Sequence, residues 1–373
     1  MRGEPRTPRI CPRSFRLARN LHLSDCGRRI YAGNPGQPAH GRRMGMTRFQ
    51  KLATGALVSV LVLMFVGAIV RVTGAGMGCP DWPTCWGCLI PPTKVEDVDF
   101  SKLPVKRFQQ KAERMGRDPA TITEESLRRE FNPRHVWTEF LNRMTSLPVG
   151  FFSLATFIAA FWQRGKRPLV FWMAFTSLVV VLINAWMGAR VVYSGLSPGV
   201  LTTHLALAMG LLGTLAYCAW RGTDTPWRIR MEAAPLAKLR MAVTLLLVVI
   251  VAEGVTGAQV REMTDELAKL HVNAPRSTWT AELESSWKYL FHRSFSWVVL
   301  VGTLLAFVLA KRHRIGGIGS VERVVLGIVL AQMVLGVVMA QVHIYSWVQV
   351  LHVGLAAILL TFVWLWRFGL SRG

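Results

Sequence analysis

Apolar side chains follow one another along this chain in eight stretches, at about 53–73, 138–162, 168–193, 200–220, 239–260, 286–310, 321–343 and 347–368. A helix rises about 1.5 Å per residue, so each stretch is long enough to cross a hydrocarbon layer of about 30 Å. The pattern predicts eight transmembrane helices. With 51% hydrophobic and only 17% charged residues, the fold class is an all-α polytopic membrane protein, in which the helices themselves form the fold.

The stretches repeat. Spans one, three and five end on Gly67-Ala-Ile-Val70, Gly188-Ala-Arg-Val191 and Gly257-Ala-Gln-Val260, and span seven has the related Met339-Ala-Gln-Val342. Small residues there let neighbouring helices approach closely. Spans two, four, six and eight open with Glu139-Phe-Leu-Asn-Arg143, Thr203-His-Leu-Ala-Leu-Ala208, Tyr289-Leu-Phe-His-Arg293 and Leu351-His-Val-Gly-Leu-Ala356. Asn142 precedes His204 by 62 residues and His292 precedes His352 by 60. This periodicity predicts two pseudo-symmetric four-helix bundles, 51–221 and 239–373, joined by a linker at 222–238. Residues 1–50 form a basic leader without an apolar stretch, read either as an organelle transit peptide or as a start set ahead of Met44 or Met46. The loop at 74–137 contains a mixed-charge stretch that predicts one or two short surface helices.

The formal net charge of +23 raises the possibility of a nucleic-acid partner, and its distribution argues against one. The leader is rich in arginine, and the other clusters fall in alternate loops: Arg164, Lys166 and Arg167; Arg221, Arg228, Arg230, Lys238 and Arg240; Lys311, Arg312 and Arg314. By the positive-inside rule both termini lie on the cytoplasmic or equivalent side. The starts of the even-numbered spans then face outward.

His204, His292 and His352 thus sit at matched depth, with Asn142 at the fourth equivalent place. An imidazole in lipid is costly unless it binds something, and two on facing helices suit the two axial positions of a haem iron. Zinc or copper fits poorly, because His292 and His352 have no third ligand nearby in the pattern. Arg143 and Arg293 follow the ligand positions directly and suit haem propionates, as a guanidinium fork matches a carboxylate. Glu139 breaks the symmetry, since its counterpart is Tyr289. One turn before Asn142, it is a candidate catalytic acid that moves protons or stabilises a developing cation. Glu253, inside span five, is a further costly acid with no repeated counterpart, and the pattern assigns it no role.

The loop after span one reads Gly78-Cys-Pro-Asp-Trp-Pro-Thr-Cys-Trp-Gly-Cys88. Its three cysteines, on an oxidising face, favour a disulfide. Cys85 and Cys88 also form a C-x-x-C that can pair or bind metal. Cys218 reads as core packing. Together with Arg71-Val-Thr-Gly-Ala-Gly76, Glu139-x-x-Asn142-Arg143 and the histidines, the cysteine loop resembles the haem A synthase family of bacteria and mitochondria, over roughly residues 50–370.

That resemblance implies a membrane oxidoreductase that converts a methyl group of haem O to a formyl, giving haem A for terminal oxidases. It implies a haem b cofactor between His292 and His352, substrate haem O at His204 and the place of Asn142, Glu139 as the carboxylate beside the substrate, and a disulfide between Cys79 and Cys85. It also implies haem O synthase and cytochrome oxidase assembly factors as partners, in a bacterial plasma membrane in preference to a mitochondrial inner membrane, with a homo-oligomer left open. Asn142 departs from the family pattern. A neutral amide is a poor iron ligand, so the first half would hold haem through His204 alone, with an open face beside Glu139. A membrane b-type cytochrome or haem-delivery protein is the alternative, and it would have no need of Glu139.

Overall fold

The computed structural model describes residues 45–371, apart from 115–117, 198, 272–273, 275–277 and 343. Residues 1–44, which make up nearly all of the expected leader and hold Cys11 and Cys26, lie outside the described residues. Eight helices are long and apolar enough to span a membrane: α1 (Arg48–Val72), α4 (Pro133–Ala160), α5 (Pro168–Tyr193), α6 (Val200–Arg221), α7 (Ala233–Leu270), α9 (Trp287–His313), α10 (Ser320–Val337) and α11 (Ser346–Gly369). Three short helices, α2 (Val105–Arg114), α3 (Glu124–Glu130) and α8 (Thr280–Ser285), lie between them at one end of the bundle. Among the described residues there is no β-strand, and the molecule is a multi-pass integral membrane protein.

Helices α1 and α7 extend past the apolar runs where side chains at their ends find partners. Thr47 caps α1 by accepting from the backbone N–H of Gln50, whose side chain in turn accepts from Thr47 N–H. The helix therefore starts at Arg48, before the expected leader has ended. Helix α7 reaches ten residues past the predicted span end because Arg261, Glu262 and Asp265 find partners there. Arg71 and Arg261 both pair with Asp265, at 3.0 and 2.8 Å, Arg261 also donates to Gln349, and Thr202 donates to Glu262 at 2.8 Å. Helices α1, α6, α7 and α11 are tied together by these bonds.

The repeat is visible in the packing. In the first half α1 packs on α4, α4 on α5, α5 on α6 and α6 on α1; in the second, α7 packs on α9, α9 on α10, α10 on α11 and α11 on α7. The two halves share one apolar core, to which Leu57, Val60, Leu212 and Leu215 contribute from the first and Val243, Leu246, Val325, Leu360 and Trp366 from the second. Glycine permits close inter-half approaches: a Cβ at Gly354 would lie 2.1 Å from Phe65, one at Gly213 would lie 2.8 Å from Trp364, and one at Gly254 would lie 2.9 Å from Met209 Sδ.

The loop after α1 folds into a cap with its own small core, formed by Cys79, Cys85, Trp86, Val98, Leu103, Phe108, Ala112, Ile122 and Leu127 against Val136 of α4. Its centre is Asp81, only 4% exposed, which accepts from the backbone N–H of Trp86 at 2.7 Å and Gly87 at 3.0 Å and from the Thr84 hydroxyl. Trp86 Nε1 donates to Gly78 O at 2.8 Å. Gly78 itself lies against the first turn of α4, where a Cβ would sit 2.2 Å from His135 O. Asp81→Ala strands the buried backbone donor of Trp86 and the part-buried one of Gly87. We expect it to cost about 1–3 kcal/mol of cap stability, seen as faster proteolysis between residues 79 and 132 while the spanning helices stay protected.

Candidate functional site

Spans one, three and five each end by making room for Asn142, His204 and His292 respectively, on the span that follows. A Cβ at Gly67 would lie 4.0 Å from Asn142 Oδ1, one at Gly188 would lie 3.8 Å from His204 Cε1, and one at Gly257 would lie 2.9 Å from His292 Cε1. The small-residue motif therefore seats a side chain against a bare patch of helix. In span seven Met339 replaces the glycine, and there the helix widens into a π turn over Val338–Val342.

In the second half, His292 of α9 and His352 of α11 face each other with ring centres 6.4 Å apart and planes at 79°. With metal–nitrogen bonds of about 2 Å, two imidazoles on opposite sides of one ion have centres about 6 Å apart. Gln332 donates to His352 O at 2.8 Å, which fixes the turn that carries this ring. His292 Nδ1 lies 3.2 Å from Glu253 Oε1, off the line of a good hydrogen bond, and neither Glu253 oxygen has another partner. His352 Nδ1 has no hydrogen-bond partner. Among the described residues, no group of three or more His, Cys, Asp or Glu is placed to hold a bare metal ion.

In the first half, His204 lies on α6 and Asn142 on α4, where the Asn142 Oδ1 is buried without a partner. Asn184 of α5 borders His204. In the amide orientation that satisfies both of its ends, its nitrogen lies 3.0 Å from His204 O and 3.1 Å from His204 Nδ1, while its oxygen accepts from Ala208 N at 3.2 Å. Glu139 is 6% exposed and accepts from Arg143 Nε at 3.1 Å.

Arg143 does more than the sequence implied. Its guanidinium also donates to the carbonyls of Asp81 and Thr84 at 2.8 Å and of Cys79 at 3.1 Å. Four of its five N–H groups are thus engaged, leaving one for a propionate. Cys79 and Cys85 are disulfide-bonded and Cys88 is a free thiol, so the carbonyls that Arg143 grips belong to the closed ring. Arg293, the matching residue in the second half, is exposed.

The match to the COX15-CtaA family of cytochrome oxidase assembly proteins runs over residues 50–364, nearly the whole described chain. The protein belongs to this family. Among relatives, a heme A synthase from Sphingopyxis alaskensis is 26% identical over 319 residues, covering 80% of this chain and 85% of the relative. Heme A synthases from Bacillus cereus and Shewanella oneidensis are 21% and 22% identical over 184 and 160 residues, less than half of either relative's length. Within this family member, sequence reasoning passed over Asn184 and left Glu253 without a role. Aligning spans three and five on their Gly-Ala motifs would have found both, since each stands four residues before the glycine.

The glycine seats carry a stability prediction. Gly257→Ala should lower the thermal unfolding midpoint in detergent, because overpacking against His292 costs about 1–3 kcal/mol. Gly327→Ala, at a site on α10 with nothing within 4 Å of the new methyl, should raise it by up to about 1 kcal/mol equivalent through helix propensity.

Proposed function

We propose that this protein is a haem A synthase, an oxidoreductase that converts a methyl group of haem O to the formyl of haem A for cytochrome oxidase. The observation that carries the reading is the difference between the two ligand positions. The second half presents a facing histidine pair, whereas the first presents His204, Asn142 and a buried carboxylate, Glu139, with no acid at the matching Tyr289. The cap then lies on the outer face of the membrane and both termini on the inner.

The 6.4 Å separation of His292 and His352 suits a haem b held between them, and such a haem supplies one-electron transfer. His204 holds substrate haem O from one side. Asn142, an amide, leaves the opposite side open. Glu139 takes or gives a proton beside that open side, and its burial keeps the carboxyl away from bulk water. Arg143 orients Glu139 and, through the carbonyls of Cys79, Asp81 and Thr84, clamps the cap over it. Its last N–H and the exposed Arg293 serve propionates in the two halves. Haem O synthase and oxidase assembly factors are the fitting partners, as supplier of substrate and recipient of product.

Co-expression with a haem O supplier, followed by haem extraction and mass analysis, tests the reading: haem A is expected. Its absence from cells that contain haem O would overturn it. Glu139→Gln should abolish haem A while leaving second-half haem in place. Asn142 favours a second reading, a non-catalytic membrane cytochrome or haem-delivery protein, for which Glu139→Gln would change nothing. The purified wild type should show mixed spin, six-coordinate in the second half and five-coordinate in the first, by absorption and electron paramagnetic resonance.

A further inference from the structure

The sites differ in a layer behind the histidines. Four residues before the glycine seat, spans one, three, five and seven carry Leu63, Asn184, Glu253 and Leu335. Where polar, that residue lies beside the Nδ1 of the following span's histidine: in the amide orientation that satisfies both of its ends, Asn184 nitrogen lies 3.1 Å from His204 Nδ1, and Glu253 Oε1 lies 3.2 Å from His292 Nδ1, off the line of a good hydrogen bond. The first-span residue is Leu where the following span offers Asn142 and no imidazole. The seventh-span residue is Leu too, and His352 Nδ1 is left without a partner.

A histidine can give Nε2 to an iron only as the tautomer whose proton sits on Nδ1, and the group facing Nδ1 selects that tautomer. A carboxylate can only accept, whereas an amide turned one way donates and turned the other way accepts. Resting on the haem reading above, we infer that Glu253 locks His292 permanently as an iron ligand, and that Asn184 makes His204 a reversible one. With its nitrogen toward Nδ1, the orientation that satisfies both ends of the amide, Asn184 stabilises the tautomer whose Nε2 carries the proton and does not ligate. With its oxygen toward Nδ1, it stabilises the ligating tautomer. The first-half seat can therefore take in haem O and release haem A, while the second keeps its haem. Glu253 acts through His292 and is a positioning residue. Among the described residues, His292 Nδ1 is the polar atom that either Glu253 oxygen approaches, and a small turn of the ring would bring the two into line.

The test uses the full chain purified in detergent and loaded with haem, with excess apomyoglobin as haem acceptor and absorbance as readout. Glu253→Gln should speed loss of the six-coordinate haem by about 10- to 100-fold. Removing the anionic acceptor should also raise that haem's midpoint potential, by about 59 mV for each tenfold weakening of ferric relative to ferrous binding. Glu253→Leu should do both more strongly. Asn184→Asp, in the other half, should slow release of the five-coordinate haem by a comparable factor. Unchanged release and midpoint in both Glu253 variants would overturn the inference while leaving the haem site intact. Should neither Glu253 variant fold, unchanged release in Asn184→Asp overturns it alone. His292→Ala separates the two levels: if it leaves the six-coordinate haem in place, the haem assignment itself fails.

Discussion

An imidazole placed among lipid-spanning helices must be given both space and a partner, and much of this structure follows from meeting those two needs. Space comes from the neighbouring helix. Gly188 and Gly257 present bare backbone to His204 and His292, and the helices can run close because no side chain intervenes. Partners come from one turn earlier on the same neighbouring helix, where Asn184 and Glu253 stand. One helix surface thus supplies the gap and the polar contact, and the pairings of α5 with α6 and α7 with α9 are fixed by that surface.

The cap answers a different constraint. A loop of about sixty residues over the end of a bundle has many backbone groups to satisfy and little apolar surface to bury. Asp81 collects buried backbone donors inside the loop, Arg143 collects its carbonyls from below, and the Cys79–Cys85 bond closes the ring between them. Because Arg143 also binds Glu139, the fold of the cap and the position of the buried acid depend on each other. Among the described residues no such clamp is present in the second half, where Arg293 is exposed and Tyr289 packs in a small apolar cluster with Leu267 and Trp279. The duplicated framework is thereby made unequal at the ends where its ligand positions lie.

The eight helices, their repeat and the equivalent places of Asn142, His204, His292 and His352 within it were legible in the sequence. Run length and spacing are local properties, and a spanning segment has few alternatives to a helix. The helix ends were less legible. The C-terminal extension of α7 is held by Arg71 and Thr202, which are distant in the chain, so no reading of residues 260–270 alone could find it. The two halves also proved less separable than their periodicity implied. Spans that look equally apolar divide into lipid-facing surfaces and shared core only once α1, α6, α7 and α11 are packed together.

The sequence by itself determined that this is a helical membrane protein built twice over, with three histidines and one asparagine at equivalent places in the repeat and a lone acid one turn before the asparagine. Composition and period decide these, because hydrocarbon forces the backbone to satisfy itself within each segment. Only the tertiary structure decided which atoms meet: Glu253 with His292, Asn184 with His204, and Arg143 with both Glu139 and the carbonyls of the cap. Those meetings depend on how each helix is rotated against a neighbour dozens of residues away. That rotation is set by packing, glycine by glycine, and no single segment encodes it.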